Sequence, residues 1–274
     1  MSEAWLDIQR GDAPLIVSMP HGGTQIPDDV ERRLVSPWIA RKDTDWWIEK
    51  LYDFAPGLSA TVLRTDISRT VIDVNRDPSG KSLYPGQNTT ELCPTSTFDG
   101  EALYRDGAVP AAPEIADRRA HYFDPYHAAL DTEIKRLRVR HDRIVLFEAH
   151  SIRSVIPRLF DGKLPNFNIG TNSGASCGEA LTASIESLCA ITEFSWTTNG
   201  RFKGGYTTRH YGRPGDGVHA VQLELADRGY LDEPDAPSPE NWPTPYKDAR
   251  AAALRAVLKR ILQACIAFAD EDQP

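Results

Sequence analysis

The sequence lacks several features that would mark particular classes of protein. It has no excess of positive charge, because 31 basic against 39 acidic residues give a formal net charge of -8, and this argues against a general nucleic-acid binder. None of its four cysteines forms a CxxC pair, so no zinc ribbon is expected. No apolar run approaches the roughly 20 residues that span a bilayer, and the segment MSEAWLDIQRGDAP has neither the basic nor the apolar part of a secretory signal. These absences predict a cytoplasmic protein without a membrane or nucleic-acid partner.

What is present is the composition of an ordinary globular protein. The 274 residues are 41% hydrophobic and 26% charged, which is enough to bury a full core. Because we find no internal repeat and no linker, we expect a single domain over residues 1–274. The hydrophobic patterns predict strands at residues 14–19, 60–64, 70–74, 144–147 and 218–226, and helices at 28–35, 44–55, 113–140, 178–190 and 246–268. Long irregular segments are predicted at 81–113, after residue 153, and in the glycine-flanked loop 202–212.

Two histidines follow predicted strands. His150 comes just after the apolar run at 144–147, in RIVLFEAHSIRS, and His21 follows the first strand in the segment PHGG. Ligands of α/β proteins bind at the carboxyl ends of strands, and a neutral imidazole there is a good ligand for a divalent metal. Each histidine also has an ordinary interpretation, either as a hydrogen-bonded end of a strand or as a residue of a glycine turn.

Carboxylates that could complete such a site occur in two places. Asp43 and Asp45 precede the helix predicted at 44–55, where they could equally complement its positive end. Glu224 lies in the apolar half of the strand at 218–226, and a carboxylate in such a place is costly unless it has a partner or a task. A catalytic zinc usually takes three protein ligands, and a further carboxylate then serves as general base.

Arginines lie close to the same segments. Arg69 and Arg76 flank the strand predicted at 70–74, and Arg153 follows His150. The planar guanidinium grips a carboxylate with two parallel hydrogen bonds, although all three residues could also form surface ion pairs. Together these residues predict a metal-dependent amide hydrolase for a small acidic substrate.

The chain also resembles the N-formylglutamate amidohydrolase family over nearly its whole length. The resemblance rests on ordered motifs, which are VSMPHGGTQIP, DTDWW, ISRTVIDVNR, LYPG, FDG, PYH, EAHSIRSVIPRLFDGKLPNFNIGT, NGRFKGGYTTRHYG and HAVQLELA. It implies hydrolysis of N-formyl-L-glutamate to formate and L-glutamate, a step of histidine degradation. It also implies a single three-layer αβα domain with a mixed central sheet, similar to the zinc carboxypeptidases.

Roles can be carried over residue by residue. The resemblance implies that His21, Asp45 and His150 hold Zn2+ or another divalent transition metal such as iron, cobalt or manganese. Carboxypeptidases have HxxE, but Thr24 follows His21 at that spacing, so the carboxylate must come from elsewhere. The motif DTDWW favours Asp45 over Asp43.

The remaining roles concern catalysis and the substrate. The resemblance implies that Glu224 is the general base and that Asn75 and Arg76 bind a substrate carboxylate. As a mechanistic hypothesis, Arg69 helps to hold the oxyanion, and Arg153 and Arg209 are further candidates for the substrate carboxylates.

Two other interpretations remain open. A related metal-dependent amidohydrolase could act on another N-acyl or N-formimino acidic amino acid, with the arginines and the long loop deciding the substrate. A binding module that has lost its metal site is the second. Nothing in the sequence indicates an oligomeric state.

Overall fold

A seven-stranded mixed sheet organises the structure. It was analysed as a computed structural model that describes residues 4–83 and 86–271; Tyr84 and Pro85 of the LYPG motif lie outside the described residues. The strands are β1 Leu6–Gln9, β2 Leu15–Met19, β3 Thr61–Thr65, β4 Ile144–Ile152, β5 Phe167–Gly170, β6 Trp196–Thr198 and β7 Val218–Ala226. Their order across the sheet is β1-β3-β2-β4-β7-β5-β6.

The four central strands are parallel to one another. β3, β2, β4 and β7 pair in parallel, whereas β1 runs antiparallel to β3 and β5 antiparallel to β7. At the second edge, β6 pairs in parallel with β5. Because the central strands share one direction, their carboxyl ends lie along the same edge of the sheet, and residues that follow them converge there.

Helices cover both faces of the sheet. They are α1 Asp28–Glu31, α2 Ile48–Leu51, α3 Ala112–Arg118, α4 Asp124–Arg138, α5 Glu179–Ala190, α6 Tyr206–Tyr211 and α7 Asp248–Asp270. A π-helical turn, Arg119–Phe123, joins α3 to α4, and Pro125 lies in the first turn of α4. Among the described residues, no helix is both long and apolar enough to span a membrane.

Alternation along β4 divides the hydrophobic core into two layers. Val145 and Phe147 pack into one cluster with residues of α5 and α7, while Ile144 and Leu146 pack into a second cluster with residues of α4. Successive side chains of a strand point to opposite faces, so a strand buried on both faces is apolar along its whole length. The prediction of a three-layer α/β fold with a mixed sheet is confirmed. The single-domain prediction stays a prediction.

Some of the predicted elements are wrong. Residues 70–74 form turns rather than a strand, and the helix predicted at 44–55 is reduced to α2 and a 3-10 turn at Ala55–Leu58. The helix predicted at 28–35 is only the short α1. Predicted irregular segments contain β5 and α6, and the strands β1 and β6 were not predicted at all. These missed strands are three or four residues long and lie at or near the sheet edges, where the hydrophobic pattern is too short to be read.

Candidate active site

Three potential metal ligands come together at the carboxyl edge of the sheet. His21 follows β2, His150 lies near the end of β4, and Asp45 comes from the loop before α2. All three side chains are buried, and one ligand atom from each lies within 4.8 Å of the others. The Asp45 backbone amide donates to the His21 carbonyl oxygen at 3.1 Å, which ties the aspartate loop to the end of β2.

Unpartnered atoms within this cluster fit a cation. His21 Nδ1 and Asp45 Oδ1 are buried, and neither has a hydrogen-bond partner among the described residues. Asp45 Oδ2 lies 3.8 Å from His21 Nδ1 and 3.1 Å from His150 Nδ1, and it accepts a hydrogen bond from the Ser151 amide at 3.2 Å. A buried polar atom without a partner is costly. Two imidazoles and one carboxylate form a common donor set for catalytic zinc, so this group could bind a metal.

The two histidines have different electrostatic surroundings. Burial, followed by the nearby Arg69 charge, lowers the pKa of His21, so its ring is neutral at pH 7. Burial also acts to lower the pKa of His150, but its hydrogen bond to Asp45 and the nearby Glu148 carboxylate raise it well above the usual value. Metal ligation requires a neutral ring, so we expect a cation bound here to displace a proton from His150.

Asp73 connects His21 to two arginines and is a residue that the sequence analysis missed. Its Oδ1 accepts from His21 Nε2 at 2.7 Å, and its Oδ2 accepts from Arg69 Nη2 at 2.7 Å and lies 3.3 Å from Arg76 Nε. Burial alone would raise the pKa of Asp73, but these three neighbours hold it well below its usual range. The bond to Nε2 leaves His21 Nδ1 as the ring atom that could bind a metal. One signal was available, because Asp73 is the single acidic residue in the apolar run TVIDV.

Glu224 lies beside His150 across two neighbouring strands. The two residues are register partners in the parallel pair β4 and β7, so their side chains share one face of the sheet. Gln222 Nε2 donates to Glu224 Oε2 at 3.3 Å. Burial raises the pKa of Glu224 to about 7, which is the range in which a carboxylate can both take and return a proton near neutral pH.

A cavity of about 590 Å³, open to solvent, lies against these residues. The predicted site residues His21, Arg69, Asn75, Arg76, His150 and Glu224 all line it. Asn75 is fixed by its neighbours, since its Oδ1 accepts from the Thr207 amide at 2.9 Å and its Nδ2 lies 3.0 Å from His150 Nε2. Gly205 allows this approach, because a Cβ there would lie 2.3 Å from Asn75 Nδ2.

Two predicted substrate residues lie outside the described lining of this cavity. Arg153 Nη2 donates to Asp43 Oδ1 at 3.1 Å and to Asp99 Oδ2 at 2.7 Å. Asp43 also accepts from the Phe98 amide at 2.7 Å, so the structure brings Asp45 rather than Asp43 to the two histidines. Arg209, on α6, donates from Nε to the Gly204 carbonyl oxygen at 2.9 Å.

Arg201 lines the cavity and was also missed. Its Nε donates to the Leu159 carbonyl oxygen and its Nη2 to the Asn88 carbonyl oxygen, both at 2.8 Å. The available signal was the motif NGRFKGGYTTRHYG, in which Arg201 directly precedes the glycine-flanked loop 202–212.

Comparisons with known proteins identify the family of this chain. The family model described as N-formylglutamate amidohydrolase matches residues 13–231. An N-formylglutamate deformylase of Pseudomonas aeruginosa is 46% identical over 267 residues, which are 97% of this chain and 97% of that protein. A protein of the same name from Pseudomonas putida is 45% identical over the same share of both chains.

Solved structures show the same fold at low sequence identity. The crystal structure of an N-formylglutamate amidohydrolase from Ralstonia eutropha JMP134 superposes with a TM-score of 0.77 at 20% identity, covering 98% of both chains. A gene product of Agrobacterium tumefaciens superposes with a TM-score of 0.72 at 15% identity, covering 97% of this chain and 96% of the other. With the match to the family model and the two close relatives, the chain belongs to the N-formylglutamate amidohydrolase family.

Proposed function

We propose that this protein hydrolyses N-formyl-L-glutamate to formate and L-glutamate in a metal-dependent reaction, as a cytoplasmic step of histidine degradation. One observation carries the proposal: a single cavity is lined by the two histidines of a His-Asp-His donor set, by a carboxylate of raised pKa and by arginine side chains. The names of the two Pseudomonas relatives support this choice of substrate. We also propose that residues 1–274 form one domain.

The metal would be held by His21, Asp45 and His150. The unpartnered His21 Nδ1 and Asp45 Oδ1 support this assignment. When bound, zinc or another divalent transition metal would act as a Lewis acid, polarising the formyl carbonyl and making a nearby water molecule more acidic. The donor set also suits iron, cobalt and manganese.

Glu224 would transfer the proton. It takes a proton from the attacking water while the water oxygen bonds to the formyl carbon. It then gives that proton to the amide nitrogen as the C–N bond breaks, which leaves formic acid and the free amine of glutamate. The acid then loses its proton to give formate. Its pKa of about 7 supports both halves of this transfer at neutral pH.

The other residues would orient the substrate and stabilise developing charge. Arg69 would donate to the oxyanion, and its bond to Asp73 keeps its guanidinium in place. Asn75 and Arg76 would bind one substrate carboxylate, which their place in the cavity lining supports. Substrate binding by Arg153 and Arg209 stays a prediction, and their contacts with Asp43, Asp99 and the Gly204 carbonyl give it no support.

The test is formate release from N-formyl-L-glutamate before chelation, after chelation and after return of zinc. We expect turnover to disappear with the chelator and to return with the metal. N-formyl-L-leucine, run in parallel, has one carboxylate fewer and should be a much poorer substrate. Absence of turnover in protein with a full complement of metal would overturn the choice of substrate. Turnover by protein shown by metal analysis to be metal-free would overturn the assignment of the ligands.

A further inference from the structure

We propose that Arg201 binds the side-chain carboxylate of the substrate and thereby selects glutamate over neutral N-formyl amino acids. This inference rests on the proposed function. N-formylglutamate carries two carboxylates besides its formyl group, and the two arginines so far assigned already have tasks. Arg69 is directed toward the site of the reaction, and Arg76 with Asn75 accounts for one carboxylate only.

The two carboxylates of glutamate have a fixed range of separations. Their carboxyl carbons are four bonds apart, which is about 5 Å in an extended chain. A second cation must therefore lie near Arg76 but not at the same point. It must also stand far enough from the metal ligands to leave the formyl group in contact with them.

Arg201 lies near Arg76 because both side chains bond to one segment of the chain. Arg76 Nη2 donates to Thr90 Oγ1 at 3.1 Å, and Arg201 Nη2 donates to the Asn88 carbonyl oxygen at 2.8 Å. The two guanidinium groups are thus anchored two residues apart on one segment of the cavity wall, where adjacent Cα atoms are about 3.8 Å apart. Asn88, Thr90 and both arginines line the cavity.

The position of Arg201 is also held before any substrate binds. Besides the bond to Asn88, its Nε donates to the Leu159 carbonyl oxygen at 2.8 Å, and its Cζ lies 5.3 Å from the centre of the Phe202 ring. A guanidinium fixed in this way loses little conformational freedom when it binds an anion. Leu159, Phe202 and Ile152 in the same lining offer apolar contacts for the methylene groups between the two carboxylates.

The experiment compares N-formyl-L-glutamate with N-formyl-L-glutamine, which has nearly the same shape but a neutral side chain. Because the substrate would lose a hydrogen bond to a charged group, Arg201→Met should lower kcat/KM for the glutamate substrate by roughly 10- to 100-fold, mainly by raising KM. For the glutamine substrate kcat/KM should barely change. Arg201→Lys keeps the charge but loses the fork, and it should retain part of the preference. Arg213→Met replaces an exposed arginine that pairs with Asp216, so it should behave like the unmodified protein.

Several outcomes would overturn the assignment. Unchanged preference for glutamate in Arg201→Met would do so, and so would an equal loss with both substrates, because that pattern indicates a structural role. Metal content and thermal unfolding of each variant identify such a structural loss directly. Loss of preference in Arg209→Met or Arg153→Met instead would transfer the role to that residue. If the unmodified, metal-loaded protein hydrolyses neither substrate, the proposed function fails and this inference fails with it. If Arg201→Met hydrolyses N-formyl-L-glutamate with unaltered selectivity, the assignment of Arg201 fails and the proposed function stands.

Discussion

Replacing Asp73 by Asn should weaken metal binding although Asp73 is not itself a ligand. The carboxylate accepts from His21 through Oδ1 and from Arg69 through Oδ2, and it also lies 3.3 Å from Arg76 Nε. An asparagine can still accept from His21 Nε2 through its Oδ1. Its Nδ2 group would then face the guanidinium donors of both arginines, so that donors oppose donors where an acceptor is needed.

The size of the effect follows from two separate losses. Removing the carboxylate that orients a ligating histidine typically costs 10- to 100-fold in metal affinity, which is about 1.4–2.8 kcal/mol. Breaking a buried ion pair by removing one partner costs about 3–5 kcal/mol of folding stability. Arg69 and Arg76 would both lose their shared partner, so we expect the metal-free Asp73→Asn variant to melt at a lower temperature than the unmodified protein.

The measurement is a competition titration of zinc against a chromophoric chelator, carried out below the melting temperature of the variant. Asp77→Asn serves as the matched control, because Asp77 lies close to Asp73 in the sequence and accepts from the Ser79 amide near the surface. We expect weaker zinc binding in Asp73→Asn only. Unchanged zinc affinity in a folded Asp73→Asn protein would refute the view that Asp73 fixes the metal-binding atom of His21.

Three further predictions concern catalysis, pH and packing. Glu224→Gln should keep its metal but lose about 10²- to 10⁴-fold in turnover, measured as formate release at equal metal content; retained turnover would remove Glu224 from the proton transfer. Burial lowers the pKa of His127 to about 4, so the unfolded chain takes up its proton first as the pH falls. Between about pH 7.5 and 4.5, the free energy of unfolding of the metal-free protein should therefore fall by about 2.5 kcal/mol more than that of His127→Gln. Equal losses in the two proteins, measured by urea unfolding, would contradict this. Phe147→Ala removes a fully buried ring and should lower the free energy of unfolding by about 3–5 kcal/mol. Val139→Ala, at a side chain that is 86% exposed, should change it by less than about 0.5 kcal/mol. Chemical denaturation of both variants would contradict this if their losses were equal.

The central strands were predictable because each is buried on both faces. β2, β3 and β4 were found from short, mostly apolar runs and β7 from a partly alternating one, and the long helices α5 and α7 were found from their one-sided periodicity. The turns at 70–74 were mistaken for a strand because TVIDV has the same composition. There the apolar side chains of Val71, Ile72 and Val74 are buried in one cluster with residues of α4 and of the long loop, although the chain forms no strand at these positions. The composition of a segment indicates that it is buried, but it does not show whether the buried segment is a strand or a turn.

The chemistry of the site was predictable in kind but not in its contacts. His21, His150 and Glu224 were identified because each is a polar residue in or just after an apolar run. That His150 and Glu224 are register partners depends on the pairing of β4 with β7, and no local pattern specifies which strands pair. Asp73 and Arg201 were missed for the same reason, since their importance lies in hydrogen bonds to residues far away in the sequence.

The failed helix at 44–55 is informative about Asp45. Thr44 to Ala55 has good helical periodicity, yet Trp47 adopts a left-handed conformation with φ of 63° and ψ of 17°, and the helix begins only after it. Such a conformation is unfavourable for a residue with a bulky side chain.

The left-handed Trp47 interrupts the predicted helix just after Asp45. The Asp45 amide donates to the His21 carbonyl oxygen, and the Asp45 carboxylate contacts His150 and the Ser151 amide. A continuous helix from Thr44 would place Asp45 in its first turn, and its amide and carboxylate would then serve the helix rather than the site. The local pattern fails at the carboxylate that we propose as a metal ligand, and a conflict between local preference and observed structure is expected at a functional site.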